Sequence, residues 1–270
     1  MTTNRISAAF QKLRLSNECG FICYVAAGYP DIQTSLRIID SLVKGGADAI
    51  EIGIPFSDPI ADGPTVQRAL SSALQSGITP EKALSFARQV RERHPSLPML
   101  GMTYFNILLS RGIERFLHQA NRNGVDGFIV PDLPIEESQQ LVQVSRQEEL
   151  ATVFLVSPNT NTERLNEIVK NTTGFLYLVS VYGITGTRTS FEDYTLGAVK
   201  NAKSVTAGKI PLAVGFGISR PSHVRLMKES GADAVIVGSA IVDIVEKSKS
   251  QKELFLSLEQ FARGMKQACR

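Results

Sequence analysis

Three carboxylates crowd one short stretch, AIEIGIPFSDPIADGPTVQ from Ala49 to Gln67: Glu51, Asp58 and Asp62. Glu51 interrupts an apolar run that reads as a buried strand. Strand alternation puts Ile50, Ile52 and Ile54 on one face and Ala49, Glu51 and Gly53 on the other. An ionised carboxylate in such a place is costly unless it is paired, hydrogen-bonded or kept protonated. A glutamate whose pKa is raised in this way suits general acid–base work near neutral pH. The other reading of Glu51 is half of a structural ion pair. No Lys or Arg occurs in any strand-like run of the chain, so that partner would have to come from a loop. Asp58 and Asp62 follow in a turn stiffened by Pro55, Pro59 and Pro64, and proline limits the conformations such a loop can sample. Asp58 reads as a loop or helix cap or as a surface contact. Asp62 either caps the helix that starts near Pro64 or faces the same space as Glu51.

Glycine supplies the second set of candidates. YGITGTR (182–188), GFGIS (215–219) and GSAIV (238–242) each end or follow an apolar run. Glycine lets backbone N–H groups approach an anion closely, and a helix N-terminus adds partial positive charge. Ser239, opening SAIVDIVEK, offers a hydroxyl and a helix-entry amide. One such pair merely ends a strand, but three in succession predict a phosphate cradle. The polar stretch TGTRTSFEDYT has the composition of a mobile lid or of an ordinary surface loop.

These residues need a scaffold, and the chain supplies an alternation. Eight short apolar runs (20–28, 47–54, 97–104, 125–132, 151–157, 174–180, 210–217 and 232–239) are separated by amphipathic stretches of helical period. Runs apolar on both faces fit parallel strands covered by helices. Eight strand–helix units in a chain of 270 residues predict a (β/α)8 TIM barrel. MTTNRISAAFQKLRL adds an extra N-terminal helix, with Ile6, Phe10 and Leu13 on one face. A doubly wound sheet would carry a Gly-x-Gly-x-x-Gly turn after the first strand, where this chain has AAGYPD. No linker divides the chain, so 1–270 is expected to be a single domain. In such barrels the chemistry sits at the C-terminal ends of the strands, where Glu51 and the glycine clusters fall.

Composition narrows the functions. Apolar residues make up 43%, and 29 basic against 26 acidic residues leave a formal charge of +3. That balance predicts neither a nucleic-acid partner nor a membrane partner. No apolar run approaches the ~20 residues that cross a bilayer. Cys19, Cys23 and Cys269 form no disulfide framework, and with no export signal a cytoplasmic location is expected. His94, His118 and His223 are scattered, so no metal site is expected on them.

Taken together, EIGIPFSDPIADGPTVQ, GVDGFIVPDLPIEE, YLVSVYGITGTR, VGFGIS and VIVGSAIV resemble the tryptophan synthase α-subunit family over essentially the whole chain. The resemblance implies a lyase that splits indole-3-glycerol phosphate into indole and glyceraldehyde 3-phosphate by a retro-aldol reaction without a cofactor. It implies that Glu51 protonates the indole ring carbon and that Asp62 holds the indole N–H, with Tyr177 beside them. It implies a phosphate site at Gly186, Gly217, Gly238 and Ser239, and an indole pocket of Phe21, Met102, Ile129 and Phe216. The implied partner is a β subunit that carries pyridoxal phosphate, in an α2β2 complex, docked around Pro55–Asp58, Asn106 and Asp132–Pro134. A plastid location is compatible with the resemblance if a transit peptide has been removed. The chain departs from many members in the SVYGITGTR loop and at Pro131. Two other functions fit parts of the pattern: a different phosphate-sugar aldolase or isomerase, and an idle subunit that only activates a partner. The lack of strand lysines counts against Schiff-base chemistry.

Overall fold

Every apolar run becomes a strand in the structure, a computed structural model that describes residues 4–179, 188–215 and 217–270, with the backbone alone for 188–193. The strands are β1 (Gly20–Ala26), β2 (Ala49–Gly53), β3 (Met99–Met102), β4 (Gly127–Ile129), β5 (Ala151–Val153), β6 (Leu155–Val156), β7 (Leu176–Val179), β8 (Leu212–Gly215) and β9 (Ala234–Val237). They pair in parallel in the order β5-β4-β3-β2-β1-β9-β8-β7-β6. The two ends of that order, β5 and β6, are separated in the chain by Phe154 alone. The Phe154 carbonyl accepts from Tyr177 N–H at 3.0 Å. The sheet therefore closes on the two halves of one interrupted strand, which gives eight strand positions and the expected (β/α)8 barrel.

The helices that wrap it are α1 (Arg5–Leu15), α2 (Ile32–Gly45), α3 (Pro64–Gln75), α4 (Pro80–Arg93), α5 (Phe105–Arg111), α6 (Ile113–Arg122), α7 (Gln139–Gln147), α8 (Thr162–Asn171), α9 (Arg188–Thr206), α10 (Pro221–Glu229), α11 (Ser239–Lys247) and α12 (Gln251–Ala268). Local signals set their ends. Asp31 caps α2 by accepting from Thr34 N–H, and Gly46 ends it at φ +107°, a left-handed conformation that glycine adopts without steric cost. The polar stretch read as a lid loop is helical from Arg188 onward. Helix α1 packs across the bottom of the barrel, burying Ile6 and Leu13 and setting Phe10 against Phe175 at 5.7 Å.

Two buried layers result. Ile50, Ile52 and Ile54 join the layer between strands and helices, while Ala49 joins the barrel interior with Ile22, Leu100, Ile129 and Ala213. The isoleucine face of β2 thus packs outward, and Glu51 points in.

One device recurs around the N-terminal face, once for every second strand. Phe21 N–H donates to Asp48 Oδ2 at 2.7 Å while Asp48 N–H donates back to Phe21 O at 2.8 Å. Met99 and Asp126 repeat the exchange at 2.8 and 2.8 Å, and Leu212 and Asp233 at 2.7 and 2.8 Å. The remaining position uses Thr173, whose Oγ1 accepts from Thr152 N–H at 2.9 Å and whose N–H donates to Thr152 O at 3.0 Å. A cation neutralises each aspartate: Lys266 on Asp48, Arg5 and Arg91 on Asp126, Lys203 on Asp233. In the sequence the device is written GADA, GVDG, TTG and GADA, at the start of β2, β4, β7 and β9. It pins the bottom of the barrel and leaves the opposite end free for a site.

Candidate active site at the barrel mouth

At that opposite end, a cavity is lined by Tyr24, Glu51, Asp62, Met102, Tyr177 and Ile236, with Gly63, Val66, Gly217, Ile218, Gly238 and Ser239 around them. Glu51 is 1% exposed. Its Oε1 has no hydrogen-bond partner among the described residues. Burial, and then the nearby Asp62 carboxyl, push its pKa up to about 8. A carboxyl in that state carries a proton at neutral pH and can give it up to a base of modest strength.

Asp62 is half-buried in the loop between β2 and α3. It does not cap α3, whose N-cap is Gly63 with Pro64 in the first turn. Instead its Oδ2 accepts from Tyr104 Oη at 2.7 Å, and Tyr104 Oη in turn accepts from Ala61 N–H at 3.1 Å. Burial raises the Asp62 carboxyl above its ordinary value, and the Tyr104 hydroxyl offsets part of that rise. Burial and the bond to Asp62 drive the Tyr104 phenol up, so it stays a donor. Phe56 stacks on Tyr104 at 5.1 Å, and the next residue, Phe105, donates its N–H to Asp132 at 2.9 Å. Three loops of the mouth are therefore linked through one tyrosine. Asp58, by contrast, is exposed and accepts from Ser57 Oγ at 2.5 Å.

Two further tyrosines depend on glycines of the next strand. A Cβ on Gly53 would come within 2.0 Å of Tyr24 Oη, and a Cβ on Gly215 within 2.3 Å of Tyr177 Oη. These close approaches let the rings lie flat on the inner wall. Burial, followed by the two site carboxylates, raises the Tyr177 phenol well above its ordinary value. Between the strands of these two tyrosines, Gly217 at φ +77° after β8 and Gly238 with Ser239 at the start of α11 border the same cavity. Backbone amides and a helix N-terminus in such a place have the chemistry to hold an anion.

The structure thus brings Glu51, Asp62, Tyr177, Met102, Gly217, Gly238 and Ser239 to one cavity. Gly186 and Phe216 lie outside the described residues. Ile129 faces the barrel interior but does not border the cavity. Phe21 requires a correction: it packs in the outer layer between strands and helices. On β1 the inward residues are Ile22, Tyr24 and Ala26, so Tyr24 holds the position expected of Phe21. Tyr24 and Tyr104 are the residues that sequence reasoning missed. The inward parity of β1 is fixed by its register with β2, where Tyr24 pairs with Glu51, and no signal in the sequence reports it.

Comparison with known proteins points in the same direction as the geometry. Residues 10–270 match the family model described as tryptophan synthase alpha chain. The tryptophan synthase alpha chain of Methanothermobacter thermautotrophicus is 44% identical over 246 residues, covering 91% of this chain and 90% of that protein. The corresponding chain of Arabidopsis thaliana is 39% identical over 267 residues, covering 99% and 96%. The crystal structure of tryptophan synthase subunit alpha from Legionella pneumophila strain Paris superposes with a TM-score of 0.91 at 34% identity, covering 99% of both chains.

Proposed function

Because this chain belongs to the tryptophan synthase alpha chain family and so catalyses cleavage of indole-3-glycerol phosphate, we propose that Glu51 is its general acid–base and Asp62 its electrostatic partner. The observation that carries this reading is a buried carboxyl, its Oε1 unpartnered among the described residues and its pKa pushed up to about 8, near a second carboxyl held by Tyr104.

In this mechanism Glu51 gives its proton to the ring carbon that bears the glycerol chain, and the indole becomes an electron-poor indolenine. Asp62, ionised, accepts a hydrogen bond from the ring N–H and stabilises the positive charge that develops there. The Glu51 carboxylate then takes the proton of the neighbouring hydroxyl. The carbon–carbon bond breaks, its electron pair returns to the ring, and the hydroxyl carbon leaves as the aldehyde of glyceraldehyde 3-phosphate. Glu51 ends protonated, so one residue turns over without an outside proton. Two carboxyls in different environments, one without a partner among the described residues and one held by Tyr104, divide the acid and charge-stabilising work. Tyr177 lines the ring site, with Met102, Tyr24 and Ile236 as apolar walls. Gly217, Gly238 and Ser239, with Gly186, hold the phosphate. The residues of 1–270 act in this reading as one barrel domain, and no cofactor takes part in the step.

The proposed partner is a β chain that receives indole and carries pyridoxal phosphate, in an α2β2 assembly. Its docking face surrounds Pro55–Asp58, Asn106 and Asp132–Pro134. Ile60, 80% exposed beside these loops, supports an apolar contact there. The link from Asp132 through Phe105 and Tyr104 to Asp62 supports coupling between docking and the site. In the described residues no helix is long and apolar enough to cross a membrane, and the reading places the chain in the cytoplasm or, in a plant, the plastid.

An indole-release assay with and without a β chain tests the assignment. Glu51→Gln is expected to lose activity by at least the ~10²-fold typical of general acid–base groups. Asp62→Asn is expected to lose most activity and keep its affinity for glycerol phosphate. Near-normal turnover by Glu51→Gln would remove Glu51 from the role. Light scattering of the mixed chains reads the stoichiometry.

A further inference from the structure

The proposed reaction needs Glu51 protonated before ring attack and ionised just after it, and a carboxylate inside a barrel is costly without a donor. The polar side chains that share its cavity are Asp62, Tyr24, Tyr177 and Ser239, and no Lys, Arg or His lines it among the described residues. Asp62 is an acceptor already held by Tyr104. Ser239 stands beside Gly217 and Gly238, and Tyr177 has an interaction of its own besides its place in the cavity. That leaves Tyr24, which is 5% exposed and whose hydroxyl makes no hydrogen bond among the described residues.

Its placement suits the need. Tyr24 and Glu51 are paired across β1 and β2, and both face the interior. The Tyr24 ring crosses onto β2 so that Oη occupies the space above Gly53, 2.0 Å from where a Cβ would stand. Gly53 and Glu51 are same-face neighbours about 6.6 Å apart along the strand, and a glutamate side chain swung along β2 covers most of that gap. On the premise that Glu51 is the acid of the reaction, we propose that Tyr24 is its positioning residue: the Tyr24 hydroxyl donates to the Glu51 carboxylate that forms when the proton passes to the substrate. Tyr24 keeps its own proton throughout, and no bond to it forms or breaks. Burial and the surrounding acids hold its phenol well above the ordinary range, which suits a donor that never ionises.

The titratable groups facing Glu51 are Asp62 from the β2–α3 loop, Tyr24 from β1 and Tyr177 from β7. The Cys23 thiol lies behind it on the outer face of β1. From β3 and β4 the neighbours are apolar: Leu100, Met102 and Ile129. Of the two phenols, Tyr24 is the one on the strand paired residue for residue with Glu51.

Tyr24→Phe is the test, read by steady-state indole release across pH and by carbon NMR titration of the Glu51 carboxyl in the ligand-free protein. The expected kcat falls roughly 10- to 100-fold, the loss expected for one hydrogen bond to a charged group, with KM little changed. The alkaline limb of kcat and the Glu51 titration should both move to higher pH, because the removed donor favours the ionised form. An unchanged limb and titration would overturn the proposal, and so would a rise in KM alone, which would make the hydroxyl a substrate contact. If the unsubstituted protein released no indole, the functional reading would fail. The Glu51 titration in Tyr24→Phe would still decide the hydrogen bond by itself.

Discussion

Glu51 stays protonated to about pH 8 because the barrel interior withholds water from it and Asp62 stands nearby. In the unfolded chain the same carboxyl ionises near 4.5. Between those values the unfolded state has released a proton that the native state keeps, so this residue lowers stability as pH rises through the window. Glu51→Gln removes the effect. The variant should gain stability relative to the unsubstituted protein from pH 4.5 upward, reaching about 3 kcal/mol near pH 7, while losing indole release. Urea midpoints of both proteins at pH 4.5, 6 and 7.5 measure it, and a gain that does not grow with pH would mean that Glu51 is ionised in the native state. The sequence showed this residue because a carboxyl in an alternating apolar run breaks its own pattern. Tyr24 broke none. GFICYVA is buried on both faces, so composition cannot say whether the parity of Phe21 or that of Tyr24 looks inward. Tyr104 was hidden for another reason: its bond to Asp62 joins residues 42 apart, and no local signal reports how two loops meet.

At the scale of strands, the two ends of the barrel serve different purposes, and substitutions should separate them. At the N-terminal end Asp126 accepts from Met99 N–H and neutralises Arg91, whose side chain is 14% exposed. Asp126→Ala leaves that guanidinium and that amide without their partner and should cost roughly 3–5 kcal/mol. Thr173→Val removes a neutral acceptor from the equivalent place and should cost about 1 kcal/mol. Neither should change kcat where the protein remains folded, as denaturation curves and indole release at low temperature would show. At the C-terminal end Gly215→Ala puts a Cβ 2.3 Å from Tyr177 Oη, so the ring must leave the inner wall. Here kcat should fall by more than the loss of stability explains. A variant that kept full activity would show that Tyr177 is not needed where it lies. The strands themselves were legible within two or three residues, because Gly, Pro and Asp bound each apolar run. The recurrence of Asp48, Asp126 and Asp233 was visible in the sequence, yet its meaning was not, since each aspartate acts on the strand before it through a backbone amide. The interruption at Phe154 was not legible at all: ATVFLVS reads as one continuous strand, and only its pairing to β4 on one side and β7 on the other divides it.

For the molecule as a whole, the last helix completes what the first strand begins. Helix α12 lies on α2 so closely that a Cβ on Gly45 would stand 2.4 Å from that of Ala262. Cys19 N–H, just before β1, donates to Cys269 O at 2.8 Å. Between these contacts Lys266, with a side chain 11% exposed, reaches Asp48 at 2.8 Å and Glu18 at 3.0 Å. Burial raises the Asp48 carboxyl, and Lys266 is the main influence that pulls it back down. A carboxyl whose folded pKa exceeds its unfolded value of 3.8 costs stability as pH climbs past that value. Without Lys266 the folded pKa rises further, and the window over which stability is lost extends toward neutral pH. Lys266→Met keeps most of the stem packing and removes the charge. The variant's deficit should be smallest at the acid end of the range, where protonation of Asp48 weakens its pairing with Lys266. Its deficit should grow with pH toward the roughly 3–5 kcal/mol expected from breaking a buried pair. Urea midpoints from pH 4 to 7.5 decide between this and simple loss of packing, which would lower stability by the same amount at every pH. Because the contact joins residue 48 to residue 266, a pH-dependent deficit would also show that the two ends of the chain are stabilised as one unit rather than as separate halves of the barrel.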